Sequence, residues 1–427
     1  MTDFDSIDFF RGEALVDDPY PYFDHLRHRC PVTREPHHDV MMVTGYDEAL
    51  EVFHNTNVFS SCNSVTGPFP GFPVPLVGDD ISELIEQYRD QLPMSDQLPT
   101  FDPPKHTDHR SLLQRLITPK RLRENEQFIW RLADQQIDEF IGQGQCEFIR
   151  EFAGPFAMLV IADLLGVPEA DHAVLRQELQ GNGHGEAAVG GTQGSMSYNP
   201  IELLYRRFTA YIEDRRRSPR DDVLTGLATA TFPNGELPEV RDVVGVASNL
   251  FAAGQETTVR LLAYAFQLIA ERHDLQLRLR DEPGLIPNFI EEALRMEGPI
   301  KGDFRLSRVN TTVGGVGIPA GTTVMVVNGG ANRDPRHFDN PDEFQVDREN
   351  ARHHLAFGHG AHVCPGAPLA RTEGQVAVRR LLDRMADIRI SQEHHGPVDA
   401  RRYRYAPTYI LRGLQALHLE FTPIGDG

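Results

Sequence analysis

The chain has 427 residues, 40% of them hydrophobic, and a formal net charge of −20. That is ample apolar material for a large core. So negative a chain is a poor partner for nucleic-acid phosphates, which need clustered Lys and Arg. No uninterrupted apolar run reaches the roughly 18 residues of a membrane span, and the acidic start Met1–Phe10 lacks the layout of a signal peptide, so a soluble, cytoplasmic, monomeric protein is expected. Four cysteines, Cys30, Cys62, Cys146 and Cys364, are too few and too scattered for a disulfide framework. No linker and no fixed-period repeat divides the sequence, which predicts one domain over 1–427.

In chain order, Asp18–Arg27 predicts a helix, Val40–Thr44 a strand and Tyr46–His54 a helix. The segment Gly67–Leu76, with four prolines, cannot be a regular helix, because proline lacks the N–H and clashes with the preceding turn. Its Phe69, Phe72, Val74 and Leu76 read either as a loop packed on the core or as the wall of a substrate pocket. Lys105 to Gly166 is mainly helical. The stretch 181–200 is rich in glycine and should be mobile. It joins helical patterns near Asp171–Leu179 and Ile201–Arg216, and reads either as a lid or as a plain surface loop. Leu237–Arg272 is the longest periodic segment, with Pro238 suited to its first turn. Apolar residues lie on nearly every face, so this helix should be buried all round, running roughly 50 Å. Thr311–Asn328 alternates as strands around the turn Ile318–Gly321, and helix resumes after Pro365. The fold class is mainly α with small β-sheets at the side.

The chemistry concentrates in Phe357-Gly358-His359-Gly360-Ala361-His362-Val363-Cys364-Pro365-Gly366. A thiolate needs a turn that presents its sulfur, N–H groups aimed at its charge, and shielding from water. Gly358, Gly360 and Gly366 offer backbone freedom. A helix starting just after Cys364 offers its positive end, and Phe357 offers an apolar screen. Two blander readings compete: a buried cysteine in a glycine-rich turn, and a zinc site using the nearby His353, His354, His359 and His362. The absence of CxxC pairs and of HExxH weighs against zinc.

This segment resembles the cysteine loop of the cytochrome P450 family, F-x-x-G-x-H-x-C-x-G. The resemblance implies the P450 fold, a triangular helical domain with a long central helix and a β-rich side. It implies haem b with Cys364 as the axial ligand and Phe357 and Gly366 around it. In Ala253-Gly254-Gln255-Glu256-Thr257-Thr258, the Thr257 hydroxyl can bond back to the Ala253 carbonyl, and Gly254 would leave a polar notch. Glu256, expected buried, and Thr257 match the family's proton-delivery positions. Glu292 and Arg295 match its E-x-x-R, and Arg348 the third member of that network, bracing the cysteine loop. His106, Arg110, Arg305 and His362 match propionate-binding positions. The resemblance runs from about Pro19 to Leu419.

The function implied is insertion of one oxygen atom from dioxygen into a C–H bond. The substrate would be a small to medium apolar molecule, such as a terpenoid, steroid or aromatic. It would contact Leu250, Ala253, Gly254, Ile300, Ile410 and Leu411, with Lys301 and Asp303 as candidate polar contacts. The chain shows no flavin or iron–sulfur region, so electrons should come from a ferredoxin and its reductase, docking near Arg115 and Lys120–Arg123. Rival readings are a haem-thiolate peroxygenase or isomerase, and a haem-binding sensor without turnover.

Overall fold

The computed structural model describes residues 3–113, 116–180 and 200–425. The glycine-rich stretch up to position 199 and Arg115 lie outside the described residues. The longest helix is Val240–Glu271. It begins later than its apolar pattern suggests, because a capping box closes its start. The Glu239 side chain accepts from the third-residue N–H, and the Asp242 side chain accepts from the Glu239 N–H. Pro238 therefore lies before the helix rather than in its first turn, and Leu237 stays 52% exposed. The long helix packs against Gly154–Leu165, Pro200–Arg217 and Ala367–Arg384. Their apolar faces form the largest core cluster, which includes Phe148, Phe152, Phe156, Phe251 and Phe266. The helix is not buried all round: Arg241 and Glu271, near its ends, are exposed.

Beside the helices stands a five-stranded sheet in the order Val32–Arg34, Met41–Val43, Thr323–Val326, Asp303–Ser307, Phe59–Ser60. Met41–Val43 and Thr323–Val326 run parallel, and the other pairs run antiparallel. A three-stranded sheet joins Gln145–Glu147, His418–Pro423 and Met385–Ile390. The strand Gln145–Glu147 falls inside the stretch read as helical. Three residues carry no periodicity, and their partner, Glu147 opposite His418, arrives only near the chain's end.

The proline-rich loop takes the core-packed form for three of its four apolar residues. Phe69 meets Phe10 and Tyr409 edge-on, with Arg11 over its ring. Phe72 and Leu76 pack on the cluster of Cys62, Ile81, Ile85 and Leu306. Phe69 thereby joins the cluster that holds Ile410 and Leu411, with Ile300 packed against it. Val74 is half-buried and belongs to none of the core clusters.

Candidate functional site

The cysteine turn is built by two glycines in the left-handed region, Gly358 (φ +64°) and Gly360 (φ +70°). At Gly360 a Cβ would come within 2.6 Å of the Phe53 carbonyl oxygen, so a side chain is excluded on two grounds. Gly366 differs from expectation. Its φ is −80°, which any residue adopts, and it serves as N-cap of Ala367–Arg384. The Cys364 N–H donates to the Phe357 carbonyl at 2.8 Å, closing the turn. Burial pushes the Cys364 thiol up, and the N–H groups of Gly366 and Ala367 and the charge of Arg110 offset this only in part, so the thiol stays above its ordinary range. Those N–H groups are the donors the turn aims at the sulfur.

Two charge networks hold the segments around this turn. Arg295 donates to Glu292 at 2.7 and 2.8 Å, both side chains being fully buried. Arg348 Nε donates to Glu292 Oε1 at 3.0 Å. The remaining guanidinium N–H groups go to the carbonyls of Asn332, Pro341 and Glu343 from Arg295, and of Asp339, Asn340 and Glu343 from Arg348. This network pins segment 332–348 to the helix Ile286–Met296. The direct brace on the cysteine turn is its neighbour, which the motif did not flag. Glu291 accepts from Arg371 at 2.6 Å and from His354 Nε2 at 3.1 Å, and Arg371 lies 4.7 Å over the Phe357 ring. The Ala356 N–H donates to His354 Nδ1, so the proton on His354 sits at Nε2. Burial would raise the Glu291 carboxyl, but the hydrogen bonds from His354 and Arg371 hold it down to about 2. The only sequence signal for Glu291 is an acidic residue repeated before the E-x-x-R glutamate.

His106, Arg110, Arg305 and His362 converge from the helix Lys105–Leu113, the strand Asp303–Ser307 and the cysteine turn. The rings of His106 and His362 lie 3.9 Å apart. Burial first, and then neighbouring cations, depress both: His106 to about 4 and His362 to about 2. Burial also lowers Arg305 and Arg110. Among the described residues neither arginine has an ion pair; Arg305 donates to the Phe304 carbonyl and Arg110 to that of Val363. Ser61 Oγ lies 3.1 Å from His362 Nε2, and the Ser61 N–H is held by the buried Asp102. Cationic donors crowded together without an ion pair of their own are chemistry waiting for an anion. The zinc arrangement does not form. His353 lies beside His337, His354 binds Glu291, His359 meets His54 at 2.7 Å and His362 faces Ser61. Among the described residues no group of three His, Cys, Asp or Glu is set to hold a metal.

On the long helix the Thr257 hydroxyl donates to the Ala253 carbonyl at 2.8 Å. Glu256 pairs with Arg260, one turn on. Gly254 opens no notch, because it backs onto Ile161, whose atoms would lie 3.3 Å from a Cβ there. The sequence gave no signal for Glu373, which is wholly buried and hydrogen-bonded by Thr258 Oγ1 at 2.9 Å. Burial pushes it up to about 8.

A family model described as Cytochrome P450 matches residues 206–386. Cytochrome P450 144 of Mycobacterium tuberculosis is 35% identical over 388 residues, covering 89% of this chain and 85% of the relative. The chain belongs to the cytochrome P450 family. Cytochrome P450 monooxygenase PikC of Streptomyces venezuelae is 30% identical over 416 residues, covering 96% of this chain and 92% of its own. The solved structure of Mycobacterium marinum cytochrome P450 CYP150A6, in the substrate-free form, superposes with a TM-score of 0.93. It is 55% identical and covers 99% of this chain and 100% of its own. The protein is accordingly a P450 monooxygenase that uses haem b on a cysteine thiolate, dioxygen and a redox partner.

The residues present fit that group: one sulfur faced by N–H donors, and four basic side chains disposed for two carboxylates. The candidate substrate contacts of this P450 come from several parts of the fold. Leu250 lies in the main core, and Ala253 on the long helix. Ile300 bridges to Leu411 and packs with Ile410, Phe304 and Tyr409. Lys301 turns inward to the Thr408 carbonyl, and burial lowers it to about 7. Asp303 accepts from Asn328. In the basic run, Arg121 is tied to Asp163 and Lys120 pairs loosely with Glu124 at 3.8 Å, so Arg121 is not a free docking charge. Among the described residues no helix is long and apolar enough to cross a membrane.

Proposed function

We propose that Cys364 is the thiolate ligand of a single-domain, soluble, cytoplasmic, monomeric P450 that hydroxylates apolar molecules with electrons from a ferredoxin and its reductase. The observation that carries this reading is the pairing of the Cys364 turn with the cluster of His106, Arg110, Arg305 and His362. Haem, when bound, supplies the oxygen chemistry. The chain supplies the rest. Gly366 and Ala367 hold the sulfur's charge through their N–H groups, and Phe357, backed by Arg371, screens it. His106, Arg110, Arg305 and His362 take the two carboxylates. Thr257, its proton committed to the Ala253 carbonyl, keeps its oxygen lone pairs free to accept. Glu256 is the carboxylate from which protons are passed.

Apolar Ile300, Ile410 and Leu411 support an apolar substrate of moderate size. Similar P450 structures were solved with testosterone and with corticosterone, in an enzyme from Bacillus megaterium, which supports the steroid class among the candidates. The test is the absorption spectrum of the reduced protein under carbon monoxide. A red-shifted band peculiar to thiolate ligation is expected, and it should be absent from Cys364→Ala. The same spectrum from both would sink the assignment. A panel of steroids, terpenoids and aromatics, screened for the shift caused when substrate displaces iron-bound water, then tests the substrate class. Thr257→Ala should divert electrons from product to peroxide.

A further inference from the structure

The partner of Glu256 is unusual in how firmly it is itself held. Arg260 lies on the same helix, one turn C-terminal, and its Nη2 binds Glu256 Oε1. Arg260 is only 9% exposed, and its Nε finds no hydrogen-bond partner. A guanidinium accepts such a place only when it is boxed in. The box is Gly413. A Cβ added there would lie 2.5 Å from Arg260 Cγ, 2.9 Å from Nη1 and 3.0 Å from Cβ. Gly413 belongs to the turn that contains Ile410 and Leu411, which is tied back through Thr408 to Lys301. Among the described residues Glu256 keeps Oε2 without a partner. Its carboxylate is therefore held by one oxygen and open at the other.

We propose that Arg260 is a positioning residue for Glu256, and that the bare backbone of Gly413 links the Thr408–Leu414 turn to proton delivery. The link is mechanical: the turn fixes Arg260, Arg260 fixes Oε1, and the free oxygen is presented from a constant place. A group that moves protons depends on placement at the ångström level. Anything that shifts the Ile410–Leu411 turn, a bound substrate included, would reach Glu256 through Arg260. This inference rests on the reading of Glu256 as the proton source, and its test separates the two.

The full-length holoprotein is studied with no substrate and no redox partner. The infrared carboxylate band of Glu256 is assigned as the band lost in Glu256→Gln. It should shift in Arg260→Gln and in Gly413→Ala, and return towards its original position in Arg260→Lys. The dithionite-reduced protein is then mixed with air-saturated buffer in H2O and in D2O, and its reoxidation is followed. Glu256→Gln should change the rate by at least roughly tenfold and alter its solvent isotope effect. Arg260→Gln and Gly413→Ala should reproduce that change, Arg260→Lys should recover most of it, and Arg260→Gln should add nothing in a Glu256→Gln background. An unmoved band, or wild-type reoxidation in Arg260→Gln while Glu256→Gln is altered, overturns the linkage. Wild-type reoxidation in Glu256→Gln overturns the proton-source reading instead, whatever the infrared band does.

Discussion

Two groups of arginines lie in this P450, and they differ in what satisfies them. Arg295 and Arg348 share Glu292 and spend their other N–H groups on six backbone carbonyl contacts, all from within the chain. Arg305 and Arg110 have no ion pair among the described residues, and their neighbours His106 and His362 are held neutral by burial and by those same cations. From sequence alone both groups are only scattered charges. The difference teaches that a closed network states a structural role, while a charge left open within the protein states a role towards a ligand.

The sharpest way to break this comparison is to open the closed network. Arg295→Met leaves the buried Glu292 with Arg348 and the Gln345 N–H alone, and removing one partner of a buried pair typically costs about 3–5 kcal/mol. The chain is expected to reach the soluble fraction poorly and to melt far lower with or without haem, as measured by calorimetry. A variant that melts like wild type would mean that segment 332–348 is held by other means.

The closed network was legible as a motif, and the open cluster as spacing against a known pattern. The turn at Cys364 was legible because its glycines have a physical job that no other residue performs at Gly360. The long helix was legible from its apolar run, although its start was not, since a capping box of Glu239 and Asp242 carries no hydrophobic period. What was not legible shares a cause. Apolar neighbours on the helix set the direction of Glu256 but do not announce its partner, Arg260, one turn on. For Phe69, Phe72 and Leu76 the sequence leaves core packing and a pocket wall both open, because their partners, Phe10, Tyr409 and Ile85, come from distant segments. Glu291 and Glu373 were missed because burial in the fold, not any local pattern, makes them unusual.

Opening the cation cluster should have the opposite signature. Arg305→Gln removes a charge that pairs with nothing inside the chain, so the haem-free protein should melt close to wild type. A hydrogen bond to a charged group is worth about 1.5–3 kcal/mol, which converts to roughly 10–100-fold faster haem loss, followed by transfer to an excess of a haem-scavenging protein. Loss of folding without loss of haem would reverse the assignment of the two groups.

Glu291 tests whether the cysteine turn depends on the closed side. Its folded carboxyl is depressed to about 2, so its contribution is fully present above the unfolded value of 4.5 and is lost as pH falls towards 2. Glu291→Gln should lower the melting temperature at neutral pH and flatten its fall between pH 4.5 and 2. Its thiolate spectrum should broaden, because His354 and Arg371 no longer fix Phe357.

The smallest effect expected is at His106, and it carries the comparison to its finest point. Here burial, Arg110 and Arg305 hold the folded imidazole at about 4, below its unfolded 6.5, while Asp102 opposes them. Between those values the unfolded chain binds the extra proton, so stability falls as pH drops from 6.5 towards 4. One proton corresponds to about 1.4 kcal/mol per pH unit at the steepest, and partial solvent access reduces this to a shift of a few degrees at most in so large a chain. His106→Phe should remove that increment from the haem-free protein. Haem should remove it too, because a carboxylate beside the ring favours the proton that the bare cluster repels. If the slope between pH 6.5 and 4 is the same in the haem-free and haem-loaded wild type, the cluster is not where the carboxylates sit.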